Sequence, residues 1–146
     1  LDTWEFKFIG PISDTKQGLN LKIKLPDNVI LCESKPRSEL PSFLSDLNVF
    51  WLPFEANELT TFMSPIKIFE VLSVGLPIVC QDLPECREIL GECGSLAVSS
   101  EQHVDALIYE CNFDSKNKLK QRRLSVKDSD WKSVYKKFIT EIENVK

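Results

Sequence analysis

Ser64-Pro65-Ile66-Lys67-Ile68-Phe69-Glu70-Val71-Leu72-Ser73-Val74-Gly75-Leu76-Pro77-Ile78-Val79-Cys80 is the most strongly punctuated stretch of this 146-residue sequence. Ser64 is a good helix cap, and Pro65 suits a first helical position because its missing N–H would have no partner there. Gly75 tolerates the left-handed conformation that ends helices, and Pro77 prevents continuation. Ile78-Val79-Cys80 is apolar on consecutive residues, the mark of a parallel strand covered on both faces. Helix followed by such a strand is the repeating unit of a parallel α/β sheet.

Working outward, stretches rich in β-branched or aromatic residues recur at Trp4–Ile9, Asn28–Cys32, Val49–Phe54, Pro77–Cys80 and Ser95–Val98, and these are predicted strands. Helical spacing separates or follows them. Ser38 is placed to cap a helix carrying Leu40, Phe43, Leu44 and Leu47 on one face, and Glu101–Cys111 and Trp131–Glu143 read as two more helices. Leu19–Leu25 alternates with period two, which fits an edge strand or an extended connection. Alternating strands and helices imply right-handed crossovers. With no repeat, linker or low-complexity tract, the expectation is one α/β domain over residues 1–146.

Composition narrows the function. With 42% hydrophobic and 27% charged residues, the sequence is that of an ordinary folded domain, and no apolar run approaches the ~20 residues that cross a bilayer. Leu1-Asp2-Thr3-Trp4 does not resemble a signal peptide, and the chain reads as a fragment of something longer. Five scattered cysteines, an odd number, suit reduced thiols and a cytoplasmic setting. A net charge of −4 gives no general electrostatic case for nucleic acid.

In parallel α/β sheets, ligands bind beyond the carboxyl ends of the strands, where helix starts present free N–H groups. The loops to search are Gly10–Ser13, Glu33–Arg37, Pro53–Ser64 and Gln81–Glu85. The third is long and polar and leads directly into Ser64-Pro65. A phosphate there would meet unpaired amides, the positive end of the helix dipole and Lys67, while Glu70, one turn on, is placed to accept hydrogen bonds from sugar hydroxyls. A nucleoside diphosphate fits that pattern.

Phe8-Ile9-Gly10-Pro11, Leu40-Pro41-Ser42-Phe43-Leu44-Ser45-Asp46, Val49-Phe50-Trp51-Leu52-Pro53-Phe54, Ser64-Pro65-Ile66-Lys67-Ile68-Phe69-Glu70 and Gly75-Leu76-Pro77-Ile78-Val79 closely resemble the group 1 glycosyltransferases, nucleotide-sugar-dependent enzymes built from two Rossmann-like domains (the GT-B architecture). The resemblance covers the second, donor-binding domain, less its first strand and helix. It implies that Glu70 holds the ribose hydroxyls, that Ser64, Pro65 and Ile66 approach the diphosphate beside Lys67, and that Gly10 and Pro11 line the nucleotide cleft. Glu33, Ser34 and Lys35 would border the base. Many members have a glutamate eight residues before the ribose glutamate, where it meets the donor sugar; Phe62 stands there in this sequence. Asn57-Glu58-Leu59-Thr60 resembles the loop of a subgroup, which implies donor-sugar contacts from Asn57, Glu58 or Thr60.

The resemblance further implies sugar transfer with retention, by a front-face displacement that needs no covalent nucleophile and no metal. It implies a UDP- or GDP-sugar donor, an acceptor domain elsewhere in the same protein, no nucleic-acid partner, and room for peripheral membrane association at the inner face. The context would be surface polysaccharide biosynthesis. A nucleotide-sugar epimerase of the same architecture and a non-catalytic nucleotide-binding module are the alternatives.

Other features have plainer readings. Glu70 and Lys67 at i, i+3 would suit a surface pair on any helix. His103 reads as a residue on a surface helix with a structural or solvent role. Cys86 and Cys93 lack the partners of a zinc site. The basic run from Lys116 to Arg123 reads as a solvated face. Trp131, Tyr135 and Phe138 are spaced like a stripe that packs on a core, although the resemblance implies that the final helix crosses back to the other domain and leaves part of it exposed.

Overall fold

A computed structural model of the chain describes residues 3–10 and 25–144. Pro11 and most of the Leu19–Leu25 alternation lie outside them. The chain divides into two compact units, Leu1–Pro41 and Ser42–Lys146.

In the first unit, β1 (Phe6–Ile9) and β2 (Val29–Cys32) pair in parallel with Phe6 opposite Val29 and Ile9 opposite Cys32. The Gly10 amide donates to the Cys32 carbonyl (3.3 Å), so Gly10 and the exposed loop opening at Glu33 stand side by side at the carboxyl ends of two parallel strands.

The second unit holds all but the first two residues of α1 (Leu40–Ser45), of which Leu44 enters its core, and the parallel strands β3 (Phe50–Leu52), β4 (Ile78–Gln81) and β5 (Ser95–Ala97), in the order β3-β4-β5. Between or after them run α2 (Glu58–Thr61), α3 (Ile66–Val74), α4 (Pro84–Leu90), α5 (Ser100–Asn112), α6 (Lys116–Ser125) and α7 (Trp131–Asn144). The class is parallel α/β, as the sequence predicts. All four residues of β4 are buried, which explains its unbroken apolar run. α3 places Ile68, Val71 and Leu72 in a core that includes Leu52, Ile78, Cys80, Leu83, Cys86 and Leu90.

Several local expectations need correction. Ser64 does not cap α3; Pro65 itself occupies the cap position with extended backbone (φ −81°, ψ 100°) and supplies no side-chain bond. Having no N–H, proline tolerates that position as easily as the next. α1 begins two residues past Ser38, after turn bonds from Glu39 to Pro36 and Leu40 to Arg37. α2, α4 and α6 were not legible as helices, being short or highly charged.

The basic run is the largest correction. Within α6, Arg122 is 1% exposed: its Nε donates to the Gly75 carbonyl (2.8 Å) and its guanidinium pairs with Asp114. Arg123 donates to the Val74 carbonyl (3.0 Å). Two cations from α6 therefore satisfy the last carbonyls of α3 and oppose the negative end of its dipole. Gly75 ends α3 at φ 79°, and a Cβ there would lie 2.7 Å from Leu119 Cγ on α6. Gly75→Ala combines left-handed strain, about 1–2 kcal/mol, with this overlap, so thermal unfolding should show a loss of more than that strain alone.

Trp131, Tyr135 and Phe138 do not pack on a core. No residue of α7 is buried.

Candidate functional site

Two helices of the second unit, α3 and α4, start without a side-chain cap bond, at Pro65 and Leu83. Asn57, Ser99 and Ser115 cap α2, α5 and α6 through side-chain oxygens that accept from the Thr60, Gln102 and Lys118 amides. At α3 the Ile68 amide turns back to the Pro65 carbonyl (3.0 Å), and the cap residue Pro65 supplies no side-chain bond to the first amides, those of Ile66 and Lys67. These N–H groups, with the positive end of the dipole, form an anion-attracting surface. Because β3 and β4 are parallel, the β3-α3-β4 connection puts that surface on the carboxyl-end side of β3.

Around it, Ser64, Ile66 and Lys67 are exposed, Pro65 is buried and Glu70 is half-buried one turn along α3. The preceding loop is ordered by its own side chains. Asn57 Oδ1 accepts from the Thr60 amide and Thr60 Oγ1 accepts from the Asn57 amide, both at 3.0 Å, and Thr60 Oγ1 donates to the Glu55 carbonyl at 2.5 Å. Asn57 and Thr60 thus hold the loop's shape, while the Glu58 side chain is exposed. Phe62, eight residues before Glu70, is 86% exposed.

The candidate residues fall in both units. Gly10, Glu33, Ser34 and Lys35 belong to the first, and a Cβ on Gly10 would meet nothing within 4 Å. Asn57, Glu58, Thr60, Ser64, Pro65, Ile66, Lys67 and Glu70 belong to the second, where the α2–α3 connection brings them together.

His103 is not on a surface. It is 5% exposed, its Nδ1 accepts from Trp51 Nε1 (3.1 Å), and its Nε2 lies 3.1 Å from Gln81 Oε1. Since indole only donates, Nδ1 must be the bare nitrogen, and the Nε2 proton serves the Gln81 oxygen. The neutral ring ties β3, β4 and α5 together, a structural role, and burial holds its pKa below the usual imidazole value. An unfolded chain takes up this proton near the ordinary histidine value whereas the folded chain resists it. Stability from this group is therefore complete above that value and declines as pH falls toward the lower folded value. Melting temperature should drop more between pH 7.5 and 5.5 in the wild type than in His103→Gln.

Burial pushes the Cys80, Cys86 and Cys111 thiols up, which disfavours thiolate chemistry. Among the described residues no group of three or more His, Cys, Asp or Glu is placed to hold a metal, and no helix is long and apolar enough to cross a membrane.

The second unit is thus a parallel α/β unit in which helix α3 opens without a side-chain cap at the strands' carboxyl edge, the edge at which ligands bind in open parallel α/β sheets. The family model described as "Glycosyl transferases group 1" matches residues 1–112, most of the chain, and the chain belongs to that family. It is also similar to a Bacillus subtilis (strain 168) protein named "Putative teichuronic acid biosynthesis glycosyltransferase TuaH", with 24% identity over 145 residues. The match covers 93% of this chain and 35% of that protein, so the chain spans about a third of its curated relative's length. No solved structure matches.

Proposed function

We propose that residues 1–146 are the donor-binding domain of a longer, two-domain retaining glycosyltransferase, which moves a sugar from a UDP- or GDP-sugar to a glycan or lipid-linked acceptor. The observation that carries this reading is the uncapped α3 start, followed by Lys67 and, one turn later, Glu70. The diphosphate rests on the Ile66 and Lys67 amides beside Ser64 and Pro65, and Glu70 accepts from the ribose hydroxyls. The family resemblance, and not the geometry, is what assigns Gly10 and Pro11 to the nucleotide and Glu33 and Ser34 to the base.

As the anomeric bond breaks, negative charge grows on the leaving diphosphate. A preoriented helix end and the Lys67 ammonium stabilise that charge more than they stabilise the ground state, which is what lowers a barrier. No covalent nucleophile or resident metal is assigned. Because Asn57 and Thr60 already bond within their loop, Glu58 is the side chain of that trio best placed for the donor sugar. The name of the Bacillus subtilis relative, which refers to teichuronic acid biosynthesis, supports a surface polysaccharide as the product's class.

The test is a transfer assay on the full-length protein with UDP-, GDP- and ADP-sugars. Consumption of one donor class with the product's anomeric configuration retained supports the reading. Inversion, or turnover of none, contradicts it.

A further inference from the structure

Among the described residues no large apolar side chain is more exposed than Phe62, at 86%, and Leu59, three residues before it, is 81% exposed. Ile66, in the first turn of α3, is 62% exposed. The loop's own structure needs none of the three. Asn57 and Thr60 hold α2 through a reciprocal pair of bonds, and Phe62 adds only its backbone, whose N–H donates to the Thr60 carbonyl. Single apolar residues are common on protein surfaces. Leu59, Phe62 and Ile66 instead lie close together in the chain and bracket the start of α3, so an apolar border flanks a site otherwise suited to an anion.

Which part of a ligand meets this border follows from covalent order, given the donor-binding reading on which this inference rests. In a nucleoside-diphosphate sugar the diphosphate stands between the ribose and the transferred sugar. With the ribose at Glu70, one turn into α3, and the diphosphate at the Ile66 and Lys67 amides, the sugar extends the other way, toward the residues that precede Pro65. Phe62 and Leu59 are the exposed apolar side chains there.

We propose that Phe62, with Leu59, is a specificity-determining contact for the donor sugar and selects a sugar that turns a methyl group toward them, that of a deoxy or an N-acetylamino sugar. Neither side chain offers a hydroxyl a partner, so a hydroxyl pressed against them loses its bonds to water without replacement. A methyl group has no such bonds to lose and gains by leaving water. Glu58, exposed beside Leu59, serves the hydroxyls of the same sugar.

The experiment measures kcat/KM of the full-length protein for donor pairs that share a base and differ at the sugar: UDP-N-acetylglucosamine with UDP-glucose, and GDP-rhamnose with GDP-mannose. Within the pair whose base is accepted, the methyl-bearing donor should be preferred by about tenfold or more, and the pair that responds tells an N-acetylamino from a deoxy sugar. Phe62→Ala should lower kcat/KM for that donor by about tenfold and bring the preference toward unity, while calorimetric affinity for the free nucleoside diphosphate stays within about twofold. Phe62→Leu should keep part of both. Phe62 lies outside the core, so unchanged thermal unfolding shows that the variants fold. A hydroxylated donor used as well as its methyl-bearing partner, an alanine variant that keeps the preference, or one that weakens the free nucleoside diphosphate as much as the sugar donor overturns the proposal and leaves the donor-binding reading standing. So does a lowered melting temperature, which would mean that protein covers Phe62 in the full-length chain. A full-length protein that binds no nucleoside diphosphate overturns both.

Discussion

Replacing Glu70 with alanine is expected to lower kcat/KM for the sugar donor by about 30- to 150-fold, the loss of roughly 2–3 kcal/mol from two hydroxyls bonded to a carboxylate. The fold should survive. Glu70 is half-buried and is not among the residues α3 contributes to the core, which are Ile68, Val71 and Leu72. Glu70→Gln keeps one good acceptor and should lie between wild type and alanine. Were Glu70 only a surface partner of Lys67, its removal would cost about 0.2–0.5 kcal/mol of stability and leave turnover unchanged. Steady-state kinetics on the full-length enzyme, beside melting curves of the same variants, distinguishes the two roles.

The second large effect is on stability. Asp114→Ala leaves the buried Arg122 guanidinium its bond to the Gly75 carbonyl but takes away its counter-charge, and because Asp114 is itself partly exposed the cost is about 1.5–3 kcal/mol. Denaturant unfolding should show that loss. Asp114→Ala combined with Arg122→Met should be less damaging than the two single costs added together, because the second change removes the charge stranded by the first. Simple additivity would mean that the pair does not hold α6 to the end of α3.

Much of the fold was legible in the sequence because its signals were local. Consecutive apolar residues marked β4, and Gly75 followed by Pro77 marked the end of α3. The start of α3 was one residue out because Ser-Pro permits either residue to be the cap, and only the backbone decides. His103 and Arg122 were misread for a different reason. Each is a polar residue on a polar-looking helix, and its burial depends on partners far away in sequence: Trp51 and Gln81 for the histidine, Gly75 for the arginine. No local pattern encodes such pairs. At the candidate site, Ser64, Lys67 and Glu70 stood out from helix-start chemistry alone. The internal use of Asn57 and Thr60 emerged only with the geometry of the α2 turn.

The most direct test of the central claim is an NMR titration of the protein with UDP, GDP and ADP, following the backbone amides of Ile66 and Lys67. One nucleotide should bind saturably and shift those two amides, and Glu70→Ala should abolish both the binding and the shift. A nucleotide that binds without moving them, or millimolar nucleotide that does not bind the full-length protein at all, would contradict the assignment of the α3 start as the diphosphate site.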